Sequence, residues 1–166
     1  MSLSEPLFEE LRHESLGTRN ILQSVPADKL GWQPHEKSMT LGRLAAHIAE
    51  IPGWLFETIK QDELDFATAD FTPTPLDDKA ALLQAFETNL VKGLDALRGA
   101  TDQTMLQNWR LRHGEQIIFQ MPRIGVVRGM VLNHFVHHRG QLSVYLRLLN
   151  VRVPGMYGPS ADEMEG

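Results

Sequence analysis

The chain has 166 residues, of which 42% are hydrophobic and 22% charged, with a formal net charge of −5. A chain of this size buries enough surface for its own core, so residues 1–166 read as one folded domain; its acidic balance and scattered basic residues argue against sequence-independent binding to nucleic acid, and no run approaches the roughly 20 apolar residues of a membrane span. The absence of cysteine removes disulfides, thiolate metal sites and cysteine nucleophiles, and the start MSLSEPLFEELRHE lacks the basic and apolar regions of a signal peptide, so a cytoplasmic protein is expected.

Leu7, Leu11, Leu16, Ile21, Leu22 and Val25 follow Pro6 at mostly helical steps and predict a first helix over residues 5–24, with Glu5, Glu9 and Glu10 near its positive end. A loop through GWQPHEKSM follows, where Ser38 or Thr40 can cap the next helix. That second helix, TLGRLAAHIAEIPGWLFETIKQ, carries Leu41, Leu44, Ile48, Ile51, Leu55 and Ile59 at helical spacing, and Pro52-Gly53 predicts a kink or break after Ile51. The acidic, proline-containing stretch of residues 62–78 reads as a surface linker, and Leu76 to Arg98 as a third helix with Leu82, Leu83, Phe86, Leu90, Leu94 and Leu97 inward.

Trp109 and Leu111 alternate before His113-Gly114, and Ile117, Phe119 and Met121 alternate after it, which predicts a β-hairpin. The last long helix runs from about Arg123 to Leu149 and is stopped by the Pro- and Gly-containing tail VPGMYGPSADEMEG. Four long helices and one hairpin insertion before the last imply an all-α four-helix bundle. Arg139, Arg147 and Arg152 read as a solvated face.

HFVHHRGQ, residues 134–141, holds three of the seven histidines. At about 100° per residue, His134 and His138 project into the side that carries Val127, Val131, Phe135, Leu142, Tyr145 and Leu149, whereas His137 lies at its edge. Imidazoles at i and i+4 are one turn apart and can share a metal ion at about 2.0–2.1 Å. The HExxH mechanism is excluded because Phe135 stands where its glutamate would be. His47, beside Leu44, Ile48 and Ile51, can face the same interior and complete a three-histidine site with an open position. Glu50, three residues on, is the candidate catalytic group, as partner, fourth ligand or general base. The competing reading is buried, hydrogen-bonded histidines without a metal, with Glu50 an exposed helix glutamate. His13, His35 and His113 receive no role.

Trp32-Gln33-Pro34, LxxLAAHIAEIPGW, HFVHHRGQLSVYLR and VPGMYGPSADE together resemble the DinB/YfiT-like family of metalloenzymes, distinct from the DNA polymerase that shares the name DinB. The resemblance spans nearly the whole chain in the family's order. It implies an up-down-down-up arrangement of the four helices, a homodimer, and zinc or nickel held by His47, His134 and His138. It also implies a choice of chemistries. The leading one is a transferase that activates a low-molecular-weight thiol for attack on a small electrophilic substrate. The alternatives are a hydrolase using metal-bound water with Glu50 as base, and a non-catalytic metal-binding stress-response module with an entrance too narrow for a substrate. Tyr157 and Tyr145 are candidates to line the cavity, with core packing preferred for Tyr145, and Ser160 to cap a short turn carrying Asp162 and Glu163.

Overall fold

The computed structural model describes residues 2–70 and 78–164. It is mostly helical with one small sheet. α1 (Ser4–Gln23) buries Leu7, Leu11, Ile21 and Leu22, four of the six residues whose spacing marks it in the sequence. The loop after it is fastened to the start of α2 (Leu41–Glu50), where Leu41 N–H donates to Trp32 O and Gly42 N–H to Leu30 O. Thr40 caps α2 by accepting from the Arg43 N–H.

Pro52 cannot supply the N–H that a continuous helix needs. The chain therefore tightens into a 3₁₀ turn at Ile51–Gly53 and resumes as α3 (Trp54–Lys60), as Pro52-Gly53 predicts. Two residues of α4 (Lys79–Arg98) make this break possible. Asn89 donates to Ala49 O at 3.1 Å, and Gly93 lets Pro52 approach so closely that a Cβ there would lie 2.3 Å from Pro52 O. Asp78 caps α4; the expected start at Leu76 lies outside the described residues.

The linker expectation needs correction. Glu63–Asp65 form β1, which pairs parallel with β2 (Asn108–His113); β2 in turn pairs antiparallel with β3 (Gln116–Pro122). The predicted hairpin is there, turning at Gly114 with φ +58, but as part of a three-stranded sheet. A short α5 (Asp102–Leu106), unmarked in the sequence reading, precedes it. After β3 the last helical stretch passes through α6 (Arg123–Val126), a π-helical segment (Val127–Asn133) and α7 (His134–Leu148). Arg123 is buried and ties the sheet to α3, donating to Thr58 O, Gln61 O and Asn108 O.

Contacts give each helix its neighbours and direction. Ser4 bonds Ala100 O and Arg19 bonds Glu87, so α1 and α4 run antiparallel. Asn89 meets Ala49 and Lys92 meets Glu57, so α4 runs parallel to α2 and α3. Tyr145 reaches Met39 and His134 reaches His47, so α7 runs antiparallel to α2. Glu10 pairs with Arg128 and Glu14 with Arg139, so the last helical stretch runs parallel to α1. The main core, including Leu44, Ile48, Phe86, Phe135 and Leu142, fills the space between them, and a smaller cluster of Trp109, Leu111 and Val126 sits under the sheet.

The tail folds back as α8 (Ala161–Met164). Asp162 binds Arg147 and the Val153 N–H, while Glu163 accepts from the Gly155 and Ser160 N–H groups. The Ser160 hydroxyl does not cap this turn; it is buried without a partner, and Glu163 reaches back to do the work of the cap. Among the described residues, no helix is long and apolar enough to cross a membrane.

Candidate metal centre

The amphipathic pattern of α2 turns His47 inward, and the i, i+4 spacing of α7 turns His134 and His138 to meet it. His47 and His138 are each 8% exposed. One nitrogen from each of the three rings lies within 4.8 Å of the others. The Nε2 atoms of His134 and His138 are 2.7 Å apart, and those of His134 and His47 are 3.4 Å apart. The sequence reading thus selects the three histidines that the fold brings together. His137 is exposed, one position away from the cluster.

The outer nitrogens fix the state of two rings. His134 Nδ1 lies 3.2 Å from Met130 O, and His138 Nδ1 lies 2.7 Å from Gln141 Oε1. Both partners are acceptors, so both Nδ1 atoms carry and donate the proton, leaving each Nε2 as a lone pair. Two lone pairs facing one another repel unless a proton or cation lies among them. Burial disfavours the proton: it pushes His138 down to about 4, opposed by the Gln141 hydrogen bond and assisted by His134 and His47. It also lowers His134, with His47 adding to the effect. Two imidazoles that turn Nε2 lone pairs toward one point, with a ring nitrogen of His47 beside them, are a donor set that fits a divalent metal.

The third ring is held differently. His47 Nδ1 is buried without a hydrogen-bond partner, and the nearest carboxylate oxygen, Oε2 of Glu50, is 3.9 Å away. Glu50 is bound instead by Arg43, whose Nη1 lies 3.2 and 3.0 Å from its two oxygens. Glu50 is therefore close to the cluster but fastened beside it.

His47, His134 and Glu50 border an open cavity of about 820 Å³ that α3, α4, the sheet and the π-helical segment also line. Trp54, the first residue after the Pro52-Gly53 break, stands against the cluster, its ring centroid 5.4 Å from those of both His47 and His134. Trp54, Lys92, Trp109 and Met130 are parts of this site that the sequence reading missed. Gln141 had a usable signal, since three residues after His138 it shares a helix face with it.

The opposite side of α7 corrects two expectations. Arg139 does not point to solvent: it is 3% exposed, and its guanidinium donates to Glu14 O, Thr18 Oγ1, Tyr157 Oη and the Glu14 carboxylate. Tyr157 does not line the cavity, because its hydroxyl is committed to this cluster and donates to Glu14 Oε2 at 3.0 Å. Tyr145 packs edge-on against Trp32, away from the cavity lining.

A model of the DinB family matches residues 1–166. The chain belongs to the DinB family. Within it, the chain is similar to the uncharacterized protein YrdA of Bacillus subtilis (strain 168), with 28% identity over 165 residues, 95% of this chain and 93% of that protein. Two crystal structures share its fold. One is the DinB-like protein YjoA of Bacillus subtilis, with TM-score 0.68 and 17% identity over 88% of this chain and 92% of that one. The other is a DinB-like protein of Bacillus cereus, with TM-score 0.68 and 23% identity over 92% and 97%.

Proposed function

We propose that this DinB-family chain is a metal-dependent transferase that holds zinc or nickel on His47, His134 and His138 and uses it to activate a low-molecular-weight thiol against a small electrophile. The observation that carries the reading is the meeting of three imidazoles, two of them on the wall of a cavity large enough for a small substrate. A divalent ion there supplies Lewis acidity that lowers the pKa of a thiol reaching its open position. The chain's own groups do the rest. Met130 O and Gln141 Oε1 keep His134 and His138 in the tautomer that offers Nε2. The cavity wall holds the electrophile, and the sulfur–carbon bond forms as the leaving group departs with its electron pair, the thiol proton going to solvent.

Metal analysis of the purified protein beside His47→Ala, His134→Ala and His138→Ala tests the site. Each variant should lose bound metal while His137→Ala keeps it; wild-type stoichiometry and affinity in all three would refute the assignment. Mixing zinc- or nickel-loaded protein with a small thiol and chlorodinitrobenzene tests the reaction, and no conjugate with any physiological thiol sinks it.

Glu50 favours a second reading, hydrolysis of an ester or amide, because it borders the same cavity beside the histidines. It would take the proton of the attacking water. Turnover without a thiol, lost in Glu50→Gln, is its signature.

The same reading takes residues 1–166 as one domain with α1, α2 with α3, α4 and α7 as an up-down-down-up four-helix bundle, supported by the contact directions of these helices. It also takes the chain as a cytoplasmic homodimer. Val144 and Leu148, exposed one turn apart on α7, support the association, which sedimentation velocity would test.

A further inference from the structure

We propose that the cavity beside the three histidines selects an uncharged, flat, largely apolar substrate body, and that Trp54 is the residue that seats it. The inference rests on the transferase reading only in taking this cavity as the substrate site.

The ionic groups around the cavity are already engaged. Arg43 holds Glu50 at 3.0 Å. Lys92 holds Glu57 at 3.1 Å while its ammonium lies 4.3 Å from the centre of the Phe56 ring. Asp70 is not free either. The neutral polar groups are turned toward the protein as well, the Asn89 amide donating to Ala49 O and the Trp109 indole N–H to Glu57 O. Away from the histidine cluster itself, a charged substrate body would have to break one of these pairs or lie in the cavity without a counterion, and both are costly.

What the wall offers a ligand is apolar surface from Trp54, Leu64, Trp109, Leu111, Val126 and Met130. Trp54 has the decisive position. It is only half-buried, it lies next to both His47 and His134, and its ring is tilted 44° to that of His134. An aromatic ring laid against its indole gains offset or edge-to-face contact, and one end of that ring then points at the histidine cluster. Trp54 is thus a specificity-determining residue placed between the apolar wall and the metal ligands.

Isothermal titration of zinc-loaded protein without any thiol tests this, using three probes of similar shape: dinitrobenzene, nitrobenzenesulfonate and nitrobenzylammonium. Dinitrobenzene should bind at least roughly tenfold more tightly than either ion. Trp54→Ala should weaken it by about tenfold, Trp54→Phe should restore most of the loss, and Trp32→Phe, outside the cavity, should change nothing. Either ion binding as tightly as dinitrobenzene overturns the proposal, and this comparison needs no variant. So does undiminished dinitrobenzene affinity in a Trp54→Ala protein that keeps its zinc. Failure here is separable from failure of the transferase reading. Dinitrobenzene bound as expected, with chlorodinitrobenzene never conjugated, supports the substrate class and sinks the thiol chemistry; preferential conjugation of ionic acceptors does the reverse.

Discussion

His138 and Arg139 are neighbours in sequence, both are buried, and they leave α7 toward different helices, His138 to His47 of α2 and Arg139 to Glu14 and Thr18 of α1. Around Arg139 the donors and acceptors match: the guanidinium meets a carboxylate, a backbone carbonyl and two hydroxyls, and Tyr157 also donates to the Glu14 carboxylate. Around His138 they do not: the Nε2 atoms of His134 and His138 face each other as acceptors 2.7 Å apart, and His47 Nδ1 has no partner. Burial alone does not separate a structural cluster from a functional one. A complete set of partners marks the first, and a consistent deficit of one kind of partner marks the second.

The largest effect expected from testing this contrast is on the complete side. Arg139→Met leaves the largely covered Glu14 carboxylate without its cation and should cost about 3 kcal/mol in urea unfolding, with Glu14→Leu in the same chain recovering much of it. A loss under about 1 kcal/mol would show the cluster to be solvated. On the deficient side, zinc at 100 times its Kd should stabilise the wild type by about 2.7 kcal/mol. Each of His47→Ala, His134→Ala and His138→Ala should abolish that increment, and the metal-free variants should lose less stability than Arg139→Met.

A sharper cut goes through Gln141, which touches the deficient cluster only by orienting His138. Gln141→Leu should lower zinc affinity about 10- to 100-fold and leave the metal-free stability within about 0.5 kcal/mol of wild type. Unchanged affinity would remove Gln141 from the site. The smallest effect is in the tail that carries Tyr157. Arg147 first, then the Val153 N–H, hold the Asp162 carboxyl at about 2, below its ordinary 3.8. The unfolded chain therefore binds the proton more tightly, so this contribution is present above about pH 4 and lost as pH falls toward 2. Hydrogen exchange at the Val153 amide should quicken over that window, and Asp162→Asn should remove the pH dependence.

The sequence made one side of this contrast legible and hid the other, for a physical reason. Helical periodicity states which way a Cβ points, and that suffices for His47, His134 and His138, whose short rings act where they point. It fails for Arg139, whose long side chain bends from the edge of the apolar stripe toward Glu14 and Thr18 of α1. The break at Pro52-Gly53 was legible because proline lacks a donor, yet the use made of it, setting Trp54 against two histidines, depends on Gly93 of another helix. The π-helical segment leaves no mark in composition. β1 was hidden because Glu-Leu-Asp acquires strand geometry only from the backbone of β2.

That last pairing has a consequence in time. His134 and His138 come into register with the closing of one helical turn, whereas His47 and each link in the β1–β2 ladder, such as Glu63 with Arg110, draw together distant parts of the chain. Contacts of such separation form late, and β1 compensates for its shortness with ion pairs from Glu63 to Arg110 and Arg112 and from Asp65 to Arg112. The wall carrying Leu64 and Leu111 is therefore completed only when residues 63–65 reach β2, so the cavity closes on that side in the same step that closes the sheet.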